Sequence, residues 1–196
     1  MSLVELLKAN QSGLVKKWID EALGVYPSES AQFLRSKKDR FHNPVGSNLA
    51  EALEELFGQL LTGLDRGQAE PLVDRCVRIR AVQDIPAGAA VGFIFSLKHF
   101  IREALAREIK EKPALLAELF VIDNQVDALA LIAFDVYMKC REQIYHLKAE
   151  EVKRLYYQAI RRSDIFCVIP GQEEPDLKPA QPAEVISIDS KKESQT

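Results

Sequence analysis

The sequence predicts an all-α protein, a helical bundle closed by a long C-terminal helix. Three observations carry this expectation. Apolar residues recur at i, i+3 and i+4 in one stretch after another, proline and glycine punctuate those stretches, and no run keeps the two-residue period of a strand. With 196 residues and 47% hydrophobic content, the chain is long enough to enclose one sizeable core. The expected division is a helical domain with a C-terminal arm over residues 1–165, followed by a disordered acidic, proline-rich tail over 166–196.

Leu3 to Ala9 and Leu14 to Leu23 are amphipathic, with Asn10 or Ser12 placed to cap between them and Trp18 one turn beyond Leu14 on the same face. Tyr26-Pro27 ends this section, and Ser28 to Arg35 forms a short helix. Asn43 then precedes Pro44, a pairing that suits an N-cap followed by the first helical position, where the missing N–H is harmless. From there Leu49, Leu53, Leu56, Phe57, Leu60 and Leu64 hold helical spacing to about residue 64. A further helix is expected to enter near Pro71 and stop at Ile85-Pro86. One helix is expected over Ala89 to Lys110, with Phe93, Leu97, Phe100, Ile101 and Leu105 on one side. Pro113 marks the next start. From Ala114 the pattern continues to about Arg162, apolar on nearly every side as far as Tyr137 and charged from Lys139 onward. Ile122, Val126, Leu129, Ala133, Val136 and Cys140 keep alternating steps of four and three, a seam suited to another helix or a second subunit.

Charge and composition narrow the partners. The formal charge is -3, from 29 acids and 26 bases, and six acids and three lysines lie in residues 170–196. The remainder holds 23 of each sign, which leaves no electrostatic footprint for nucleic acid or an anionic membrane. Cys76, Cys140 and Cys167 are odd in number and widely spaced, so neither a disulfide framework nor a metal cluster is expected. No stretch has the uncharged apolar length of a membrane span, and Glu5 interrupts the short N-terminal apolar run that a secretory signal would need. A reduced, cytoplasmic setting fits best.

The sequence holds no phosphate loop, no G-x-G-x-x-G, no H-E-x-x-H and no C-x-x-C, and no catalytic group or cofactor is expected. The stretch that stands out is LVDRCVRIRAVQDIP, Leu72 to Pro86. On a helical wheel Leu72, Val73, Cys76, Val77 and Ile79 share an apolar arc, and Arg80, Gln83 and Asp84 fall inside it. A guanidinium turned toward a core needs acceptors, because an unpaired buried charge costs several kcal/mol, about 3–5 by analogy with broken buried pairs. Arg80 and Asp84, at i and i+4, are placed to pair with the Gln83 amide beside them. Such a cluster is either a satisfied network that fixes helix packing or the polar floor of a ligand or subunit site. Of the histidines, His42 sits beside a helix start and His146 in the charged arm. His99 alone is placed to serve as the axial ligand of a haem-holding helical protein, against the commoner structural role.

Two spaced segments carry a family resemblance: Phe41 to Gly46, an aromatic-x-Asn-Pro-x-Gly motif, and Arg78 to Asp84, Arg-Ile-Arg-Ala-Val-Gln-Asp, followed by Leu97-Lys98. With Trp18 and Tyr26-Pro27, they resemble the N-terminal domain of the RsbT co-antagonist RsbRD family over roughly residues 14–147. The resemblance implies a globin-like helical fold without haem, used as a sensory input module in stressosome-type stress-response regulators, which usually dimerise. In that family the last helix leads through a linker to a STAS output domain. From Arg162 onward this sequence offers only RSDIFCVIPG and the acidic tail. The expectation is therefore a free-standing, non-enzymatic homodimer that signals to a separate, unidentified regulatory protein. The alternative is a globin-like redox or sensor protein binding haem, through His99, or another small ligand.

Overall fold

The computed structural model describes residues 2–36 and 43–162, and the described residues form nine helices and no strand. The chain divides into two units, Met1–Val152 and Lys153–Thr196. Of the second only the end of the final helix, to residue 162, is described. The tail over 166–196, Cys167, Phe41 and His42 lie outside the described residues.

Helix α1 (Leu3–Ala9) starts at a capping box: the Ser2 hydroxyl accepts from the Glu5 amide, and the Glu5 carboxylate accepts from the Ser2 amide at 2.8 Å. Helix α2 (Gln11–Leu23) begins at Asn10, but the Asn10 amide donates backward to the Leu6 carbonyl at 2.9 Å and makes no forward cap. Trp18 on α2 is fully buried, and its indole N–H donates to the Phe93 carbonyl at 2.9 Å. After α3 (Ser28–Ser36) comes α4 (Pro44–Thr62), whose N-cap is Asn43 as the sequence predicts. The Asn43 side chain works in both directions. Its oxygen accepts from the Gly46 amide at 2.9 Å, and its Nδ2 donates to the Leu34 carbonyl at 2.7 Å, fastening α4 to α3. A Cβ at Gly46 would lie 2.3 Å from Asn43 Nδ2 and 2.5 Å from the Leu34 oxygen, so this close approach requires glycine.

Helix boundaries differ from expectation in α5 and between Ala89 and Lys110. Helix α5 (Arg66–Val82) starts at Asp65, whose carboxylate accepts from the Gln68 amide at 2.9 Å, and it runs through Pro71. Proline at the sixth helical position forfeits one bond to the Gly67 carbonyl, and the cap and the packing of the following turns outweigh that loss. The single helix expected over Ala89 to Lys110 is three pieces: α6 (Ala87–Val91), α7 (Phe93–Ala104) and α8 (Ala106–Glu111). The first break falls at Gly92, where the Phe95 amide bonds the Gly92 carbonyl three residues back and tightens the turn. The second is at Leu105, buried with non-helical backbone angles.

Helix α9 (Leu115–Arg162) is 48 residues long. Its seam of Ile122, Val126, Leu129, Ala133, Val136 and Cys140 is buried throughout and belongs to the same core as α2, α4, α5 and α7. Within Met1–Val152 the seam therefore faces the bundle and does not form an outer surface. In that core α2 packs on α7 and α4, and α4 packs on α5. Ion pairs set the register of α9 along its neighbours: Lys98 to Asp127 at 2.5 Å and Arg102 to Asp123 from α7, and Arg66 to Asp135 at 2.7 Å from α5. Pairs of this kind contribute at most about 1 kcal/mol each, so burial of the seam holds the helix.

Candidate functional site

Arg80 is the last large side chain on the buried face of α5, and it is completely inaccessible. One amino group donates to the Ala90 carbonyl at 2.7 Å and the other to the Ala22 carbonyl at 2.5 Å. These oxygens belong to the last turns of α6 and α2, whose carbonyls have no partner within their own helices. The guanidinium thus closes two helix C-termini at once and lies at the negative end of the α2 dipole. Its carbon stands 4.3 Å over the Phe93 ring, itself in contact with Trp18. Burial pulls its pKa below the ordinary arginine value, and the Tyr26 hydroxyl opposes that pull. Nε has no acceptor among the described residues.

The expected pairing of Arg80 with Asp84 does not form. Helix α5 ends at Val82, so the wheel that placed Gln83 and Asp84 on the buried arc no longer applies beyond it. Both are exposed. Asp84 takes the left-handed conformation, φ 59°, and the Ile85 amide bonds back to the Arg80 carbonyl, a Schellman-type ending with aspartate where glycine is usual. The Asp84 carboxylate pairs with Arg141 of α9, which also donates to the Ala81 carbonyl at 2.9 Å and to the Tyr145 hydroxyl at 2.6 Å. One turn earlier on α9, the Tyr137 hydroxyl donates to the Ile85 carbonyl at 2.6 Å. Arg141 holds the Asp84 carboxyl below the usual carboxylate range. Lys148 adds a smaller pull in the same direction.

Residues 12–152 match the RsbT co-antagonist protein rsbRD N-terminal domain. The chain belongs to this family. No curated protein and no solved structure gives a match. Membership makes this a regulatory sensor domain of the stressosome type. The matched span contains both sequence motifs, and the structure accounts for each: Asn43 and Gly46 join α3 to α4, while Arg80 and Asp84 end α5 in two unlike ways, one inward to backbone carbonyls and one outward to α9.

Gln83 borders an open cleft of about 750 Å³ in the rsbRD domain, lined also by Tyr26, Phe33, Leu34, Val45, Ile79 and Ile85. Its lining is mainly apolar with a few polar groups, and it lies broadly open to solvent. His99 lies on the exposed side of α7, its ring tilted against that of Phe100, so it faces away from the core where an axial haem ligand would have to point. Among the described residues no group of three or more His, Cys, Asp or Glu is placed to hold a metal. Cys76 is buried and its thiol is pushed up to about 12. No helix among the described residues is long and apolar enough to cross a membrane.

On the side of α9 away from the seam, Phe120, Leu131, Phe134, Met138, Tyr145 and Val152 are exposed. Their separations of 11, 3, 4, 7 and 7 residues keep them near one line along the helix. This stripe was not legible in the sequence, because within Leu119 to Tyr137 α9 is apolar on nearly every side and the regular seam opposite draws the eye first. Arg141 and Tyr137 were missed for a different reason: their partners are 57 and 52 residues away in the chain.

Proposed function

We propose that this chain is a non-enzymatic, dimeric input domain, which senses at the α5 end of the bundle and signals through α9 to a separate regulatory protein. The observation that carries the dimer is the exposed stripe on α9. Leu131 and Phe120 are 67% and 66% exposed, and with Phe134 and Tyr145 they place large apolar groups in water along one side of the helix, which an isolated domain has no reason to keep there. Two such helices meeting face to face would bury it, with the aromatic residues at the centre. The inner seam cannot serve, since the core occupies it. At the input end, the cleft beside Gln83 offers an apolar ligand a place against Tyr26 and Ile85. Binding there shifts the domain only if the ligand holds two arrangements unequally. Family membership supports the regulatory role, and the site chemistry agrees with it, since the polar groups around Arg80 and Asp84 are spent on holding helices together.

Sedimentation equilibrium of the wild-type chain and of Leu131→Glu tests the reading. The wild type is expected to sediment as a dimer. Leu131→Glu is expected to be monomeric with unchanged helical circular dichroism, because the side chain is outside the core. A wild-type chain that stays monomeric across the accessible concentration range rules out the dimer.

A further inference from the structure

The Asp84–Arg141 contact joins two places that the proposed function keeps apart, the end of α5 beside the cleft and the outer face of α9. Arg141 reaches in two directions. Toward α5 it binds the Asp84 carboxylate and the Ala81 carbonyl; along α9 it donates to the Tyr145 hydroxyl and its guanidinium carbon stands 4.8 Å over the Tyr145 ring. The two ends of the ion pair are unlike. The Arg141 side chain is 13% exposed and is held by its other bonds, whereas that of Asp84 is 63% exposed. Asp84 also occupies a left-handed backbone conformation, which aspartate adopts more readily than most non-glycine residues but still at some cost. Its neighbours Gln83 and Ile85 line the cleft. Anything that moves this turn therefore opens the pair from the Asp84 side and leaves Arg141 with one fewer acceptor, directly beside a residue of the exposed stripe.

We propose that Arg141 is a coupling residue, which carries the position of the Gln83–Ile85 turn to the Tyr145 face of α9. The link to dimerisation rests on the reading of the α9 stripe as the interface; the link from turn to helix does not. Two arrangements differ in whether the carboxylate is on Arg141, and a ligand or partner that favours one of them changes the helix face more than 50 residues along the chain.

Hydrogen exchange of the full chain, read by mass spectrometry, tests the coupling in Asp84→Asn, Asp84→Gly and Arg141→Gln. Asparagine and glycine both tolerate the left-handed turn, so these variants remove the charge without forcing the backbone. The expected result is exchange about threefold or more faster over residues 141–149 in either Asp84 variant, with no further gain when Arg141→Gln is added. Faster exchange confined to residues 81–87 overturns the proposal. So does equal acceleration in every helix, which reports a loss of global stability. Sedimentation of the same samples separates the two ideas: a monomeric wild type removes the dimer reading while the exchange still decides the coupling, and a dimer with unchanged exchange over 141–149 removes the coupling alone.

Discussion

Arg80 donates to the carbonyl of Ala22, 58 residues earlier in the chain, so that the buried charge of one helix is met by the C-terminal backbone of another. The same side chain reaches Ala90 and the Phe93 face, and three segments therefore depend on one guanidinium. Replacing it with methionine keeps much of the volume but orphans two buried carbonyls. Arg80→Met is expected to lower stability by about 3–5 kcal/mol in urea unfolding. Arg80→Lys should recover little, because an ammonium cannot present two diverging donors in a plane.

The junction of α3 and α4 gives a second expectation. A methyl group at Gly46 would intrude on both the Asn43 amide and the Leu34 carbonyl, which are themselves bonded to each other. The Leu34 oxygen is backbone, and the Asn43 amide end is held by its bonds to Gly46 and Leu34. Gly46→Ala should cost about 1–3 kcal/mol, and Asn43→Ala about 1–2 kcal/mol from the cap alone, measured as losses in urea midpoint at constant slope.

At Asp84 the backbone and the charge can be separated. Asp84→Gly loses the ion pair but sheds the left-handed conformational penalty, whereas Asp84→Ala loses the pair and keeps the penalty. The alanine variant is expected to be less stable than the glycine variant by about 1 kcal/mol in thermal unfolding. If the two are equal, the φ of 59° is not retained in solution.

The same carboxylate sets a pH dependence. Arg141 depresses its folded pKa, so the unfolded state binds the proton first as pH falls. The contribution of the pair is whole above the usual aspartate value of about 3.9 and disappears as pH drops through the lower folded value. Wild type and Asp84→Asn should therefore converge in stability below that window and differ above it, as urea unfolding at a series of pH values would show.

Cys76 gives the opposite sign. Its thiol is buried and pushed up to about 12, so the native state keeps a proton that the unfolded state releases near its ordinary value. Native protein at pH 8 should resist alkylation at Cys76 and label there only on unfolding, as peptide mapping would reveal. Between the ordinary thiol value and about 12, its burial should lower stability by up to about 1.4 kcal/mol per pH unit, an effect absent in Cys76→Ala.

Local pattern determined a large part of this protein. The spacing of Leu49, Leu53, Leu56 and Leu60 marks a buried face whatever lies opposite, and all four are buried. Asn43-Pro44 caps its own helix through contacts within four residues, so the α4 start was legible, as was the unbroken run of α9 to Arg162. The family motifs were legible for the same reason, being short and contiguous. Pro71 misled because a proline signals a helix start only in the absence of a better cap upstream, and Asp65 provides one.

Tertiary structure decided the rest. The wheel correctly turned Arg80 inward, but its acceptors are backbone carbonyls, which carry no side-chain signature and come from helices 58 and 10 residues away in the chain. Gln83 and Asp84 left the buried arc because the helix ended at Val82, one residue before the first of them, and a helical phase means nothing past the last helical residue. The spacing marked the seam of Val126 and Ala133 on α9 but left open whether another helix or a second subunit covers it; only the packing of α2, α4, α5 and α7 put that seam in the core and left Leu131 and Phe134 in water. Short-range propensity and periodicity are properties of neighbouring residues. Burial and the pairing of distant charges are properties of the folded whole.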